Sequence, residues 1–369
     1  MLAALAAALD GTGPALLPLD PDLPGPTAER MRAVFGRASV REDTAVVIAT
    51  SGSTGRPKAV ELTAAALTAS AAASLRRLGA RPGQRWLCCL PTFHVSGLGV
   101  LVRSLVAGSD PVFAATVSAE VISASGCAFA SLVPTQLRRL LDSGAGPGPL
   151  EAVLLGGAAS AEALLAEARA AGWHLVTTYG MSETCGGCVY DHVPLDDVQV
   201  RLTDGLVEIA GPTLFSGYLG EPAQTSAVLA DGWFRTADLG AWRPDGTLAI
   251  RGRADDVINS GGEKVVPGEV EAVLGTNPAV ADVVVVGLPD REWGEAVTAI
   301  VMPADPGSPP DLTRLRSDVR RVLSAYAAPR RVVVVPQFPL LPSGKPDRAA
   351  LRERALREVD DGGATLYRL

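Results

Sequence analysis

The apolar run Ala45-Val46-Val47-Ile48-Ala49 opens directly into Thr50-Ser51-Gly52-Ser53-Thr54-Gly55-Arg56-Pro57-Lys58, and that junction constrains the fold. Five small or branched apolar residues bounded by turn formers read as a buried β-strand. The loop behind it is rich in glycine and hydroxyls and closes on a lysine. Glycines let backbone N–H groups approach anionic oxygens, hydroxyls add donors, and lysine adds charge. The expectation is a phosphate cradle, with a solvated Ser/Gly linker as the plain alternative. The loop is not of the G-x-x-x-x-G-K-[ST] type: two residues separate Gly55 from Lys58, and Ala59 follows the lysine.

At 369 residues the chain is long enough for a large core and more than one domain. Its net charge of −7 provides no footprint for nucleic acid or an anionic membrane. Five cysteines at this length make no disulfide framework. No uncharged run approaches the ~20 residues of a membrane helix, and the N-terminus lacks the basic start of a signal peptide. A soluble, cytoplasmic chain is expected; a homo-oligomer is compatible with the composition. Of 33 basic residues only Lys58, Lys264 and Lys345 are lysine. Arginine serves everywhere else, so these three mark places where a compact ammonium differs from a planar fork.

Residues 1–40 read as a poorly patterned lead-in. An alanine-rich helix is expected over Thr63–Leu78 with Thr63 as N-cap. Strands are expected at Trp86–Leu90, Phe129–Val133, Ala152–Leu155 and Leu175–Thr178, with helices between them. Such alternation predicts a parallel α/β sheet whose ligands bind at loops beyond the strand ends, here Gly156-Gly157-Ala158 and Tyr179–Thr184. Residues 198–251 carry short strands and Asp-Gly turns, the pattern of a small β-barrel or sandwich. An α+β pattern follows, with helices at Pro267–Leu274 and Leu312–Leu323, strands at Val283–Gly287 and Val332–Val335, and a final charged helix. The fold class is therefore α/β: a large N-terminal part (1–252) of parallel sheet and small barrel, then a small α+β part (253–369).

Six stretches, in order, resemble the adenylate-forming acyl-CoA synthetases. They are Thr50–Lys58, Gly156-Gly157-Ala158, Tyr179–Glu183, Thr236-Ala237-Asp238, Arg251–Asp256 with Gly261-Gly262-Glu263-Lys264, and Pro342-Ser343-Gly344-Lys345. Any one is weak; six in register are specific. The resemblance implies a two-step reaction using ATP, Mg²⁺ and CoA, in which a carboxylate displaces pyrophosphate and a thiol then displaces AMP. It implies that Thr50, Ser51, Gly52, Ser53, Thr54, Gly55 and Lys58 hold the β,γ-phosphates and that Glu183 ligates Mg²⁺. Tyr179 and Gly180 would lie against adenine with Gly156, Gly157 and Ala158 opposite and Thr184 beside them. Asp238 would accept from the ribose hydroxyls, and Arg253 would reach the ribose or phosphate. Asp255 would be the hinge of a mobile C-terminal part, and Lys345 would swing in to bridge carboxylate and α-phosphate. The plain readings are a capping Glu183, a core Tyr179, a turn Asp238 and a solvated Lys345. Lys264 would contact CoA phosphate or be simply exposed.

Phe93-His94-Val95-Ser96-Gly97 with Arg103, Val133–Leu137 and Tyr179–Asp191 resemble the o-succinylbenzoate–CoA ligases of menaquinone biosynthesis, in their actinobacterial form. That substrate has two carboxylates and only one reacts, so a buried second one needs a partner. Arg103, the one charge on an apolar helix, would be that partner, against an arginine whose head reaches the surface. His94, Ser96 and Gly97 would border the acyl pocket. Cys185 and Cys188 read as small lining residues, since no second pair has ligand spacing. Only about 45 residues precede the loop, fewer than in most members of the family it resembles, so an altered pocket wall is expected. A ligase for another aryl or medium-chain acid, an enzyme loading a carrier protein, and a nucleotide-binding protein without turnover are the rival readings.

Overall fold

The computed structural model describes residues 1–23, 25–36, 38–50, 58–341, 344–360 and 366–368. The phosphate-loop residues Ser51, Gly52, Ser53, Thr54, Gly55, Arg56 and Pro57 lie outside the described residues, as do Pro342 and Ser343. The chain divides into two compact units. One comprises Met1–Ala159, Ala168–Arg201 and Glu208–Thr236; the other comprises Ser160–Glu167, Leu202–Val207 and Ala237–Leu369.

The first unit is built on a seven-stranded sheet in the order Val112–Phe113, Trp86–Cys88, Phe129–Leu132, Ala152–Leu155, Leu175–Met181, Gly186–Tyr190, Val193–Pro194. The first five strands are parallel, as the alternation of strands and helices predicts, and the last two turn back antiparallel. Trp86–Cys88, Phe129–Leu132 and Ala152–Leu155 are buried at every position, which is why they read as unbroken apolar runs. Trp86 and Phe129 stack with ring centroids 4.9 Å apart. Thr63 caps the helix Ala64–Arg77 by accepting from the Ala66 N–H.

Thr44–Thr50 lies outside the seven-stranded sheet: it pairs antiparallel with Lys58–Thr63, and Gly217–Tyr218 adds a third strand. Residues Tyr179–Met181, expected in a loop, continue the strand because Gly186–Tyr190 supplies an edge to pair with. The lead-in contains two helices, Leu2–Leu9 and Gly25–Phe35. High propensity and burial of Leu5 and Ala8 hold the first without a clear amphipathic period.

The second unit has a six-stranded sheet in the order Glu263–Val265, Ile258–Ser260, Gly294–Pro303, Arg331–Val334, Leu366–Arg368, with Val280–Asp290 also on Gly294–Pro303. Alternate residues point to opposite faces. Val283, Val285, Val297 and Val301 pack with Leu315 and Val319 of the helix Leu312–Val322. Val284, Val286 and Ile300 pack with Leu351 and Ala355 of the helix Arg348–Asp360. The strand Gly294–Pro303 is not among the expected ones, although its two-sided burial makes it an apolar run like the others.

The Asp-Gly turns fall where expected. Asp231-Gly232, both at positive φ, joins Leu229–Ala230 to Trp233–Phe234 in the first unit. In the second, Asp245-Gly246 lies between Asp238–Trp242 and Leu248–Arg253. No helix among the described residues is long and apolar enough to cross a membrane.

Candidate functional site

In the first unit Lys58 and Glu183 meet at Tyr218. The antiparallel pairing places Lys58 opposite Thr50 at the mouth of the glycine-rich loop. Tyr218, on the third strand of that sheet, lies under the Lys58 ammonium at 4.8 Å from the ring centroid. Its hydroxyl donates to Glu183 Oε1 at 2.9 Å. Burial, then the Glu183 charge, pushes the Tyr218 pKa well up, so it stays a neutral donor. Glu183 sits in a short 3₁₀ turn, Ser182–Thr184, after the strand Leu175–Met181. Its main-chain carbonyl accepts from the Phe215 N–H at 2.8 Å. The Thr184 hydroxyl is engaged by the same turn, accepting from the Met181 N–H at 2.9 Å and donating to the Gly186 carbonyl at 2.7 Å. Sequence reasoning missed Tyr218; its aromatic pattern alone, Phe215-Ser216-Gly217-Tyr218, marks a strand edge rather than a ligand.

Gly156, Gly157 and Ala158 follow the strand Ala152–Leu155, beside the end of Leu175–Met181. A Cβ at Gly156 would stand 2.2 Å from Thr178 Oγ1, and one at Gly180 would stand 2.0 Å from the Gly186 carbonyl oxygen. Both glycines are thus required by close approach of neighbouring chain. Tyr179 is half-buried at this sheet end, with a bulge between it and Gly180.

Arg103 lies one turn from the end of the helix Val95–Val106 and is buried, 9% exposed. The plain alternative, an arginine whose head reaches the surface, does not describe it. The side chain folds back over Gly99, where an added Cβ would come within 3.2 Å of Nη1. The guanidinium lies 4.3 Å from the centroid of the Trp86 ring. Nη2 donates to Ser131 Oγ at 2.9 Å, and Nε, fully buried, has no hydrogen-bond partner. Among the described residues no carboxylate lies within ion-pair distance of it. Burial lowers the Arg103 pKa, with Tyr190 and Cys88 opposing the fall. A buried guanidinium with an unpaired Nε can take a carboxylate as a charge-assisted partner.

His94 is the N-cap of that helix with its ring 4.6 Å from that of Phe93; Ser96 is exposed in the first turn. At Gly97 the backbone crosses so near the Pro91 carbonyl that a Cβ would stand 2.3 Å from its oxygen. Cys185 and Cys188 are buried, and burial pushes both thiols up, so they line the interior as neutral groups. No cluster of three metal-ligating side chains occurs among the described residues.

In the second unit Asp238, Arg253 and Lys345 come together. Asp238 faces Arg253 across the antiparallel pair, Nη1 to Oδ1 at 3.6 Å, and Arg253 Nη2 also reaches Asp255 at 3.1 Å. Asp255 itself is exposed in the short 3₁₀ turn Ala254–Asp256. Lys345 stands in a turn closed by the Leu341 N–H on its own carbonyl and by the Gly344 N–H on that of Leu341, both at 2.8 Å. As a residue Lys345 is exposed, yet surrounding protein lowers its pKa; Asp238 raises it again and Arg253 adds to the fall. Lys264 is exposed on Glu263–Val265.

Residues 18–213 match the family model "AMP-binding enzyme", and residues 269–345 match "AMP-binding enzyme C-terminal domain". A relative from Mycobacterium tuberculosis, named "Probable 2-succinylbenzoate–CoA ligase", is 44% identical over 375 residues, covering 98% of this chain and 96% of its own. The structure of o-succinylbenzoate CoA synthetase (MenE) from Bacillus subtilis, in complex with the acyl-adenylate intermediate OSB-AMP, superposes with a TM-score of 0.77 at 28% identity. It covers 95% of this chain and 81% of that one. E. coli MenE with bound OSB-AMS gives a TM-score of 0.78 at 31% identity, covering 95% and 84%.

Proposed function

The chain belongs to the AMP-binding enzyme family, and from that membership we propose that it is an ATP-dependent acid–thiol ligase making o-succinylbenzoyl-CoA in the cytoplasm. A carboxylate oxygen of o-succinylbenzoate attacks the α-phosphorus of ATP. The bond to the β-phosphate oxygen breaks, and pyrophosphate leaves. The thiol sulfur of CoA then attacks the acyl carbonyl carbon, AMP leaves with the bonding electrons, and the thiol proton passes to solvent or base. Phosphoryl chemistry of this kind asks the protein mostly for position and charge.

In this reading residues 1–252 bind nucleotide and acid, and residues 253–369 are a lid turning at Asp255. Thr50 to Gly55 and Lys58 hold the terminal phosphates. Tyr179, Gly180 and Thr184 lie on one side of adenine and Gly156, Gly157 and Ala158 on the other. Asp238 and Arg253 take the ribose hydroxyls, and Lys345 bridges the reacting carboxylate and α-phosphate. Glu183, a single carboxylate with one oxygen held by Tyr218, suits Mg²⁺, which takes one or two carboxylates and completes its shell with phosphate oxygens and water. Bound there, the ion would neutralise phosphate charge. Tyr218→Phe removes the bond that orients Glu183, and is expected to lower adenylate formation about tenfold and raise the Mg²⁺ concentration needed for half-maximal rate. An unchanged Mg²⁺ dependence would count against the assignment.

Buried Arg103 carries the choice of acid. A cation with an unpaired Nε and no carboxylate beside it calls for an anion from the ligand, and His94, Ser96 and Gly97 lie at the start of the same helix. A diacid that reacts at one end supplies that anion at the other. The test is AMP and pyrophosphate release with ATP, Mg²⁺ and CoA across a panel of aryl and aliphatic acids. Turnover confined to o-succinylbenzoate is expected; turnover on monoacids alone would keep the chemistry and discard the substrate.

A further inference from the structure

Arg348 lies three residues beyond Lys345 and opens the helix Arg348–Asp360. Its guanidinium ties together three elements of the second unit. Nη2 donates to Glu271 Oε1 on the helix Pro267–Leu274 at 2.7 Å and to the Val285 carbonyl at 2.8 Å. Nε faces Asp256 Oδ2 at 3.7 Å, one residue beyond Asp255. Glu271 Oε1 also accepts the Val285 N–H at 2.7 Å. Val285 belongs to Val280–Asp290, which pairs with Gly294–Pro303 alone among the described strands. Arg348 and Glu271 therefore serve the outward-facing N–H and carbonyl of an edge residue, which is otherwise costly to leave unpaired.

The Lys345 turn is held from both sides of its stem. The Leu341 N–H reaches the Lys345 carbonyl at 2.8 Å, and the Asp347 N–H reaches the Pro339 carbonyl at 2.9 Å. Those bonds hold the stem of the turn, and its direction is set by whatever anchors the residue that follows Asp347. Arg348 is that residue. With only a third of its side chain exposed and two charge-assisted partners, it is held more firmly than a surface ion pair.

We propose that Arg348 is a positioning residue for adenylate formation: through Glu271, Val285 and Asp256 it fixes the direction from which the Lys345 ammonium reaches the reacting carboxylate and phosphate. The inference rests on the role proposed for Lys345. A residue that aims Lys345 matters only in the half-reaction that uses it. A residue that merely stabilises the lid matters in both.

The experiment measures the two half-reactions separately in the full-length enzyme: pyrophosphate release from ATP and o-succinylbenzoate, and thioester formation from supplied o-succinylbenzoyl-adenylate and CoA. Arg348→Ala is expected to lower the first about 10²-fold in kcat with little change in KM, and to change the second less than about threefold, the pattern of a misaimed group. Arg348→Lys should recover part of the loss, since a lysine keeps one of the charged contacts without the fork. Glu271→Gln, which keeps shape and the Val285 bond, should show the same selectivity in smaller measure and serves if Arg348→Ala does not fold. Adding Arg348→Ala to Lys345→Ala should cost nothing further in adenylation. Equal loss in both halves, or none in either, would overturn the inference while leaving the ligase reading intact. Retention of adenylation by Lys345→Ala would instead overturn the role of Lys345, and this inference with it.

Discussion

Lys345→Ala is expected to lower the rate of acyl-adenylate formation by about 10²–10³-fold, the usual loss when one preorganised charge at a developing anion is removed. Thioester formation from supplied acyl-adenylate should stay within about threefold of the unsubstituted enzyme, because a group used only in one transition state affects only that step. Lys345→Arg should not rescue it. The chain meets every other need for positive charge with arginine except at Lys58 and Lys264, and a planar fork cannot replace a compact ammonium at a bridging point. The pH profile provides an independent check. Nearby protein lowers the Lys345 pKa, Asp238 opposes that fall, and Arg253 reinforces it. The ammonium exists below its pKa and is lost as pH rises through it. The alkaline decline of adenylation should therefore fall at lower pH than an ordinary lysine would give, and should vanish from the residual rate of Lys345→Ala. Equal loss of both half-reactions would contradict the role.

Much of this site was legible because its residues sit where few others fit. Thr63 was readable as a cap from chemistry alone, and the structure has it accepting from Ala66. The fully buried strands of the first unit announced themselves as apolar runs, while Gly294–Pro303, buried along most of its length, went unread. What local sequence carried poorly was pairing. Whether Thr44–Thr50 joins the parallel sheet or folds back on Lys58–Thr63 depends on strands far along the chain, including Gly217–Tyr218. The same non-local pairing extends Tyr179–Met181 as strand and hides Tyr218, whose partner Glu183 lies 35 residues away. The candidate residues stand out in the sequence as glycine, lysine and acid motifs; the residues that support them carry no such mark. Ser131 and Trp86 beside Arg103, and Glu271 beside Arg348, belong to segments whose sequence speaks only of strand or helix.

Arg103→Ala should separate diacids from monoacids. If Arg103 pairs with the second carboxylate as proposed, removing the guanidinium removes that ion pair, and kcat/KM for o-succinylbenzoate is expected to fall by about 10²–10⁴-fold, or roughly 3–5 kcal/mol. A monoacid analogue lacking that carboxylate never had the contact, and its low kcat/KM should hold steady or rise, since a buried unpaired cation has been removed from its path. Arg103→Met keeps volume against Trp86 and guards against a simple cavity effect, because the ring loses a cation but keeps a packed neighbour. It should show the same discrimination as alanine. The loss should appear mainly in KM if the distant carboxylate binds equally in ground and transition states, and in kcat if it aims the reacting carboxylate. Thermal unfolding distinguishes packing from recognition. An arginine whose Nε goes unpaired inside the unit contributes little net stability, so Arg103→Met should leave Tm unchanged or higher. A fall in Tm accompanied by equal losses on diacids and monoacids would make Arg103 a structural residue, and the buried cation would no longer favour o-succinylbenzoate over a monoacid.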